Sequence, residues 1–225
     1  MSNISITFIS DTHGNHHEVT NDLPGGDILI HSGDFMNSGR HENEAISFLE
    51  WFNGLDNYKH KIFIAGNHDR LFEETPIIAR EIFEPYHPNI IYLQDSSIEV
   101  EGLKIYGSPW QPEFCNWAFN LPRGEKLKAA WDLIPDDTDI LVTHGPPHMF
   151  LDTIIGQYDH LGCKDLNNRV LQVQPKVHCF GHVHSSAGET DFNDIKFINA
   201  SVLDETYQYT NKPISLEINQ NKDDE

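Results

Sequence analysis

Five short polar groups in this chain combine imidazole, carboxylate and amide side chains in a way that suits cation binding. They are Asp11-Thr12-His13, Gly33-Asp34, Gly66-Asn67-His68-Asp69, His144-Gly145-Pro146-Pro147 and Gly181-His182-Val183-His184. Taken singly, each has a plain reading: a turn or helix cap at Asp11-Thr12-His13, a turn at Gly33-Asp34, a turn residue tolerating positive φ at Asn67. Together they ask for more, because a turn needs no histidine and four of the five groups carry one. Hard oxygen ligands mixed with imidazoles suit Mn, Fe or Zn, and the lack of cysteine in the set disfavours a structural zinc site.

Spacing sharpens the chemistry. Residues i and i+2 of an extended segment point the same way, about 7 Å apart along the chain. Asp11 with His13, and His182 with His184, can therefore each reach into one cavity. Two divalent ions about 3.5–4 Å apart fit such a cavity with one carboxylate shared between them, and Asp34 is the natural bridge.

The elements that must position these groups are legible as short apolar runs: Ile4 to Ile9, Ile28 to His31, Lys61 to Ile64, Ile140 to Thr143 and Val177 to Phe180. Each is rich in Ile, Val and Phe, as buried strands of an α/β sheet are. Each is followed at once by one polar group, and in open α/β sheets ligands bind beyond the carboxyl ends of the strands. Ala45, Phe48, Leu49 and Phe52, and Leu127, Ala130, Trp131 and Ile134, recur at i, i+3, i+4 and i+7 and mark two amphipathic helices. A third helix spans Lys164 to Val173, ahead of Pro175. Ile90 to Tyr92, Ile98 to Val100 and Leu103 to Tyr106 read as a small strand cluster with a turn at Glu101-Gly102, and Lys196 to Ile198 and Ile214 to Ile218 as late strands. Repeats and linkers are lacking, so the expectation is one domain, 1–218, with an acidic tail, 219–225.

Composition narrows the class. The 225 residues carry 15 Lys plus Arg against 35 Asp plus Glu, a formal charge of -20. A chain of this size buries about 70% of its unfolded surface, enough for a full core without disulfides. Scattered basic residues argue against a long nucleic-acid partner, which needs a basic stripe. Apolar runs fall well short of the roughly 20 residues of a membrane span, and no cleavable leader is evident, so the expected location is cytoplasmic. Three cysteines, Cys115, Cys163 and Cys179, form no disulfide framework and fit a reducing compartment. The 14 histidines are the anomaly.

In this order the five groups resemble the signature of the calcineurin-like metallophosphoesterases. Gly107-Ser108-Pro109-Trp110-Gln111-Pro112, Trp117-Ala118-Phe119-Asn120, Gly162-Cys163 and Phe197-Ile198-Asn199-Ala200-Ser201 are similar to a branch containing animal metallophosphoesterase-domain proteins and bacterial cyclic-nucleotide phosphodiesterases. The likeness covers about Ile6 to Ile218. Asp69 stands where some relatives carry Glu, and Ser185 where animal members do; neither change removes a ligand. The resemblance implies an α/β, four-layer αββα sandwich of two mixed sheets. It also implies a dinuclear centre with Asp11, His13, Asp34 and His184 on one metal and Asp34, Asn67, His144 and His182 on the other.

Such a centre lowers the pKa of a bridging water toward about 7 and offers hydroxide to a phosphoester. His68 is placed to protonate the leaving oxygen, with Asp69 expected to orient its ring. The expected activity is hydrolysis of small phosphodiesters, cyclic nucleotides among them. Competing readings are a phosphomonoesterase or protein phosphatase on the same centre, and a catalytically silent scaffold. Trp110, Phe114, Trp117 and Phe119 either stack on a nucleobase or pack beneath their proline-stiffened loop. His31 is expected to pack in its strand, and His160, in the Gly156 to Cys163 loop, is a secondary candidate for substrate contact. Metal identity and oligomeric state, a homodimer included, are left open.

Overall fold

The computed structural model describes residues 3–154, 156 and 159–219. Its strands are β1 (Asn3–Ile9), β2 (Gly26–His31), β3 (Tyr58–Phe63), β4 (Ile90–Tyr92), β5 (Ser96–Val100), β6 (Leu103–Ser108), β7 (Gln111–Pro112), β8 (Asn120–Leu121), β9 (Ile140–Thr143), β10 (Val177–Phe180), β11 (Gly188–Phe192), β12 (Ile195–Asn199) and β13 (Ile214–Asn219). The helices are α1 (His16–Val19), α2 (Glu42–Asn53), α3 (Arg70–Glu74), α4 (Pro76–Phe83), α5 (Glu125–Trp131) and α6 (Lys164–Val173). Of the expected tail, only Asn219 is described, at the end of β13; the rest lies outside the described residues.

Two mixed sheets result. One runs β13-β1-β2-β3-β4, with β1 to β4 parallel and β13 antiparallel on the edge; the other runs β11-β12-β10-β9-β6-β5, with β12, β10, β9 and β6 parallel between two antiparallel edges.

Side-chain alternation explains why the sheets stack. Ile4, Ile6 and Phe8 of β1 and Ile28 and Ile30 of β2 share one apolar cluster with Ile140 and Val142 of β9, Val177 and Cys179 of β10, and Ile198 of β12. The intervening residues point outward: Ile9 and Leu29 meet Phe48, Leu49 and Phe52 of α2, while Leu141 and Phe180 meet Leu127, Trp131, Leu166 and Val170 of α5 and α6. A strand buried on both faces needs apolar residues at odd and even positions alike, which is why these runs read as continuous. The product is the expected αββα sandwich.

The element expectations hold to within a few residues. Strands β9 and β10 and helix α6 have the expected bounds, and α2 starts three residues before Ala45. Ile134, expected to lie in a helix, falls just past α5 in a turn and is still buried. Strand β11 and helix α4 were not anticipated. The first is a polar edge strand without apolar alternation; the second carries Ala79, Ile82 and Phe83 at i, i+3 and i+4 against the core, a signal that is short because the helix has only eight residues.

Phe48 is fully buried, stacked 4.2 Å from Phe35 and 5.1 Å from Phe52. Phe48→Ala is expected to cost about 3–5 kcal/mol in urea unfolding, since the cavity adds to the lost transfer energy. Ile77→Ala, at a side chain 74% exposed, is expected to stay within about 0.5 kcal/mol of the parent.

Candidate metal centre

Parallel strands β1, β2, β9 and β10 end at one edge of the sandwich, and the polar groups that follow them meet there. The chain turns sharply to bring them in. Asp11, His13, Asp34 and His182 have φ of +55°, +41°, +57° and +70°, a left-handed conformation that non-glycine residues adopt at a cost and that clusters at functional sites. Cross-bonds hold the turns: Asp11 N–H donates to the Gly33 carbonyl at 3.0 Å, His13 N–H to Asp34 at 3.0 Å, and Gly181 N–H to His144 at 2.9 Å. Gly181 must be glycine, because a Cβ there would lie 2.1 Å from Asp11 Oδ2.

The donor atoms form two adjoining groups, Asp11 with His13 and His184, and Asp34 with His144 and His182. Asp34 Oδ2 lies 3.3 Å from His144 Nε2 and 3.8 Å from His13 Nε2, so one carboxylate oxygen faces both groups. Asn67 Oδ1 lies 2.9 Å from His144 Nε2. All seven sequence-expected ligands are therefore brought together.

The imidazoles are oriented for coordination. Nδ1 of His13, His144 and His184 bonds the carbonyls of Met36 (3.2 Å), Ser32 (3.0 Å) and Asp204 (3.0 Å). Each carbonyl can only accept, so Nδ1 carries the proton and Nε2 is turned to the centre, the arrangement that second partners impose on metal-binding histidines. His13 Nε2 and His184 Nε2 face each other at 3.3 Å, close enough for one cation to be held by both once His184 gives up its Nε2 proton. On this donor chemistry the residues fit a divalent metal such as Mn, Fe or Zn.

A model of the calcineurin-like phosphoesterases matches residues 4–186. The chain belongs to this family. Human metallophosphoesterase domain-containing protein 1 is 41% identical over 93% of this chain and 69% of its own length. A Caenorhabditis elegans UPF0046 protein is 40% identical over 93% of this chain and 79% of its own. The phosphopantetheinyl hydrolase of Mycobacterium tuberculosis shares the fold, with a TM-score of 0.60 at 14% identity over 90% of each chain. Divalent-metal binding and metal-dependent phosphoester hydrolysis are consistent with the family.

Electrostatics in this phosphoesterase divide the imidazoles. Burial works to raise Asp11 and Asp34, but the surrounding histidines overcome it and hold both carboxyls well below their ordinary range. Burial likewise pushes His13 and His182 down to about 4, leaving them neutral. For His144 and His184 burial is overcome, by Asp34 in the first case and Asp11 in the second, and both rise to about 9. Each donor group thus holds one proton opposite a carboxylate where a metal would take its place.

One expectation is corrected. Asp69 does not orient His68. Its carboxylate is buried and accepts from the backbone N–H of Asp34 (2.8 Å), Met36 (2.8 Å) and Gly66 (2.7 Å), so it shapes the loops that carry the ligands. Burial, together with the Asp34 charge, pushes it well above the ordinary carboxylate value. His68 is oriented instead through Nδ1 on the Asn37 carbonyl at 2.6 Å and by a face-to-face stack on Trp117 at 4.0 Å. The adjacent numbers 68 and 69 gave no hint, because neighbours in this turn face different ways.

Other candidates sort cleanly. Trp110 and Phe119 pack below the loop, with Trp110 Nε1 on Asp95 at 2.7 Å, while Phe114 faces the cleft. His31 is buried with Nε2 3.0 Å from Thr12 Oγ1. His160 pairs with Asp152 at 2.6 Å and lies outside the cleft lining, which its loop reaches through Leu161. Buried Cys163 caps α6 and accepts from Trp131 Nε1 at 3.4 Å. Ser201, which ends the Phe197 to Ser201 motif of the resemblance but was given no role there, donates its hydroxyl to Asp11 Oδ2 at 2.8 Å. Sequence reading missed Tyr207, whose ring stands 4.8 Å from that of His13, because a lone tyrosine in a loop carries no local signal.

Metal binding is expected to release protons. His144 and His184 are charged at pH 7 and must be neutral to coordinate, so about one proton should leave per ion, and affinity should rise with pH until about 9. Calorimetry in buffers of different ionisation enthalpy measures this; between pH 7 and pH 10 the number of protons released should fall by about one per ion, the imidazole share.

Proposed function

We propose that the chain hydrolyses small phosphodiesters at a two-metal centre, with Asp11, His13, Asp34 and His184 holding one ion and Asp34, Asn67, His144 and His182 the other. The observation that carries this reading is the single Asp34 oxygen facing both donor groups. When bound, two such ions supply a nucleophilic water acidified toward neutral pH and positive charge against the phosphate oxygens.

The chain's own residues do the rest. Asp11 and Asp34 are ionised without loss of burial because imidazoles and the His182 and His68 N–H groups, at 3.0 and 2.6 Å, surround them. His68 lines the cleft with Nδ1 donating to the Asn37 carbonyl, so Nε2 is the atom free to meet the leaving oxygen and gives it a proton from the imidazolium form. The cleft holds about 460 Å³, within the range of small-ligand pockets. Among the described residues that line it, Arg123 is the only Lys or Arg, which fits a small substrate better than a polyanion. Three free cysteines, two of them buried, agree with a cytoplasmic setting; among the described residues no helix is long and apolar enough to cross a membrane.

The test is elemental analysis of the purified protein beside a panel of aryl phosphodiesters, aryl phosphomonoesters and cyclic nucleotides. Two ions per chain and faster diester than monoester turnover are expected; faster monoester turnover, or full activity with one ion, overturns the reading. Asp34→Asn is expected to abolish turnover and lower occupancy of both ions. His68→Ala should keep both ions and slow turnover by about 10²–10⁴, with a smaller loss for nitrophenolate, which departs without a proton.

A further inference from the structure

The cleft is rimmed by two aromatic side chains that no core claims. Phe114 and Tyr207 are 51% and 42% exposed, and both line the cleft. Neither belongs to the apolar clusters that hold the sandwich together. An open ring at the rim of a pocket is apolar surface that a ligand can cover.

The two rings stand beside different donor groups of the centre. Phe114 stands edge-on to His182 at 5.7 Å, beside the group formed with Asp34 and His144. Tyr207 stands edge-on to His13 at 4.8 Å and to His184 at 5.4 Å, beside the group formed with Asp11.

Both are presented by stapled turns. Asn120 accepts from the Phe114 N–H at 3.4 Å and donates to the Phe114 and Cys115 carbonyls at 3.1 and 3.4 Å, across a left-handed Cys115 at φ +51°. Asp204 accepts from Thr206 N–H at 2.8 Å, Thr206 Oγ1 at 2.7 Å and Gln208 N–H at 3.1 Å, enclosing Tyr207 at φ +61°. The carbonyl of the same Asp204 orients His184. Turns fixed in advance lose little backbone freedom on binding.

We propose that Phe114 and Tyr207 are two substrate subsites, one beside each donor group of the centre, which together seat the two organic arms of a phosphodiester, at least one of them flat. This rests on the diester reading above and names what recognises the arms. A diester whose phosphorus lies over Asp34 sends its arms apart, toward the two rims. A monoester has one arm and fills one rim.

The experiment is calorimetric binding of diphenyl phosphate, methyl phenyl phosphate and dimethyl phosphate to the metal-loaded chain, beside turnover of bis(para-nitrophenyl) phosphate. Phe114→Ala and Tyr207→Ala are each expected to weaken diphenyl phosphate by about 5- to 100-fold, the range of ring stacking, and to leave dimethyl phosphate unchanged. Phe114→Tyr and Tyr207→Phe keep a flat face and should bind as the parent does. Equal weakening of diphenyl and dimethyl phosphate at full metal content overturns the proposal, because the rings would then act through the imidazoles. Should the alanine variants lose metal, Phe114→Leu and Tyr207→Leu decide: loss of ring preference at full metal content supports the subsites, and its retention overturns them. If no diester is turned over yet diphenyl phosphate binding depends on both rings, the hydrolase reading fails and the subsites stand. If diesters are turned over and the rim variants bind diphenyl phosphate as the parent does, the subsites alone fail.

Discussion

Two ionised carboxylates, Asp11 and Asp34, are buried at the seam where the two sheets meet, and the surrounding structure is arranged to keep them charged. An isolated carboxylate in such a place would take up a proton. Here the partners come from both sheets: His13 and the His68 N–H from the first, His144, His182 and His184 from the second. His182 N–H bonds both oxygens of Asp11, at 3.1 and 3.0 Å. His144 Nδ1 reaches across to the Ser32 carbonyl. The polar centre is therefore also a clasp between sheets whose broad contact is apolar, beside a smaller polar link from His60 of β3 to Glu101 at 3.0 Å.

Local strain and polar burial converge on the same residues. Four of the seven candidate ligands have left-handed backbone, and Gly181 leaves room for Asp11 where any Cβ would collide. Such features cost about 1–3 kcal/mol each and persist because the flanking strands are immovable. Ile6, Phe8, Ile28 and Ile30 are fully buried between the sheets, and α2, α5 and α6 close the outer faces. Asp69 belongs to this scaffolding: three backbone donors from the second and third polar loops end on its carboxylate, so that it ties those loops together.

The charge of the whole chain and the charge of its site point in opposite directions. A molecule at -20 repels anions at long range, whereas a divalent ion held against Asp11 or Asp34, as the proposed function requires, would be the largest local charge. Under that proposal the contrast favours small substrates able to enter a cleft over polyanions that must lie along a surface. The aromatic rims of the cleft add apolar contact where the acidic surface offers none.

The strands and the polar groups that follow them were legible in the residues, because both are written locally, while the choice of seven donors among those groups came from the family resemblance. Strands buried on two faces must be continuously apolar, and Asp11-x-His13 or His182-x-His184 aims two side chains one way through the pleat. Tertiary structure alone decided what holds those side chains. The carbonyls of Met36, Ser32, Asp204 and Asn37 orient four imidazoles, and every residue type offers the same carbonyl, so no letter marks them. Asp69 and His68 parted company for the same reason: adjacency sets distance along the chain, while a left-handed turn and the packing of Trp117 set direction. Phe114 and Phe119 lie in one aromatic segment, and only the course of the loop sent one to the cleft and the other to the core. Tyr207 follows β12 by eight residues and meets His13 from the far end of the chain. Contacts of that kind depend on how loops close over a formed core, which no local pattern encodes.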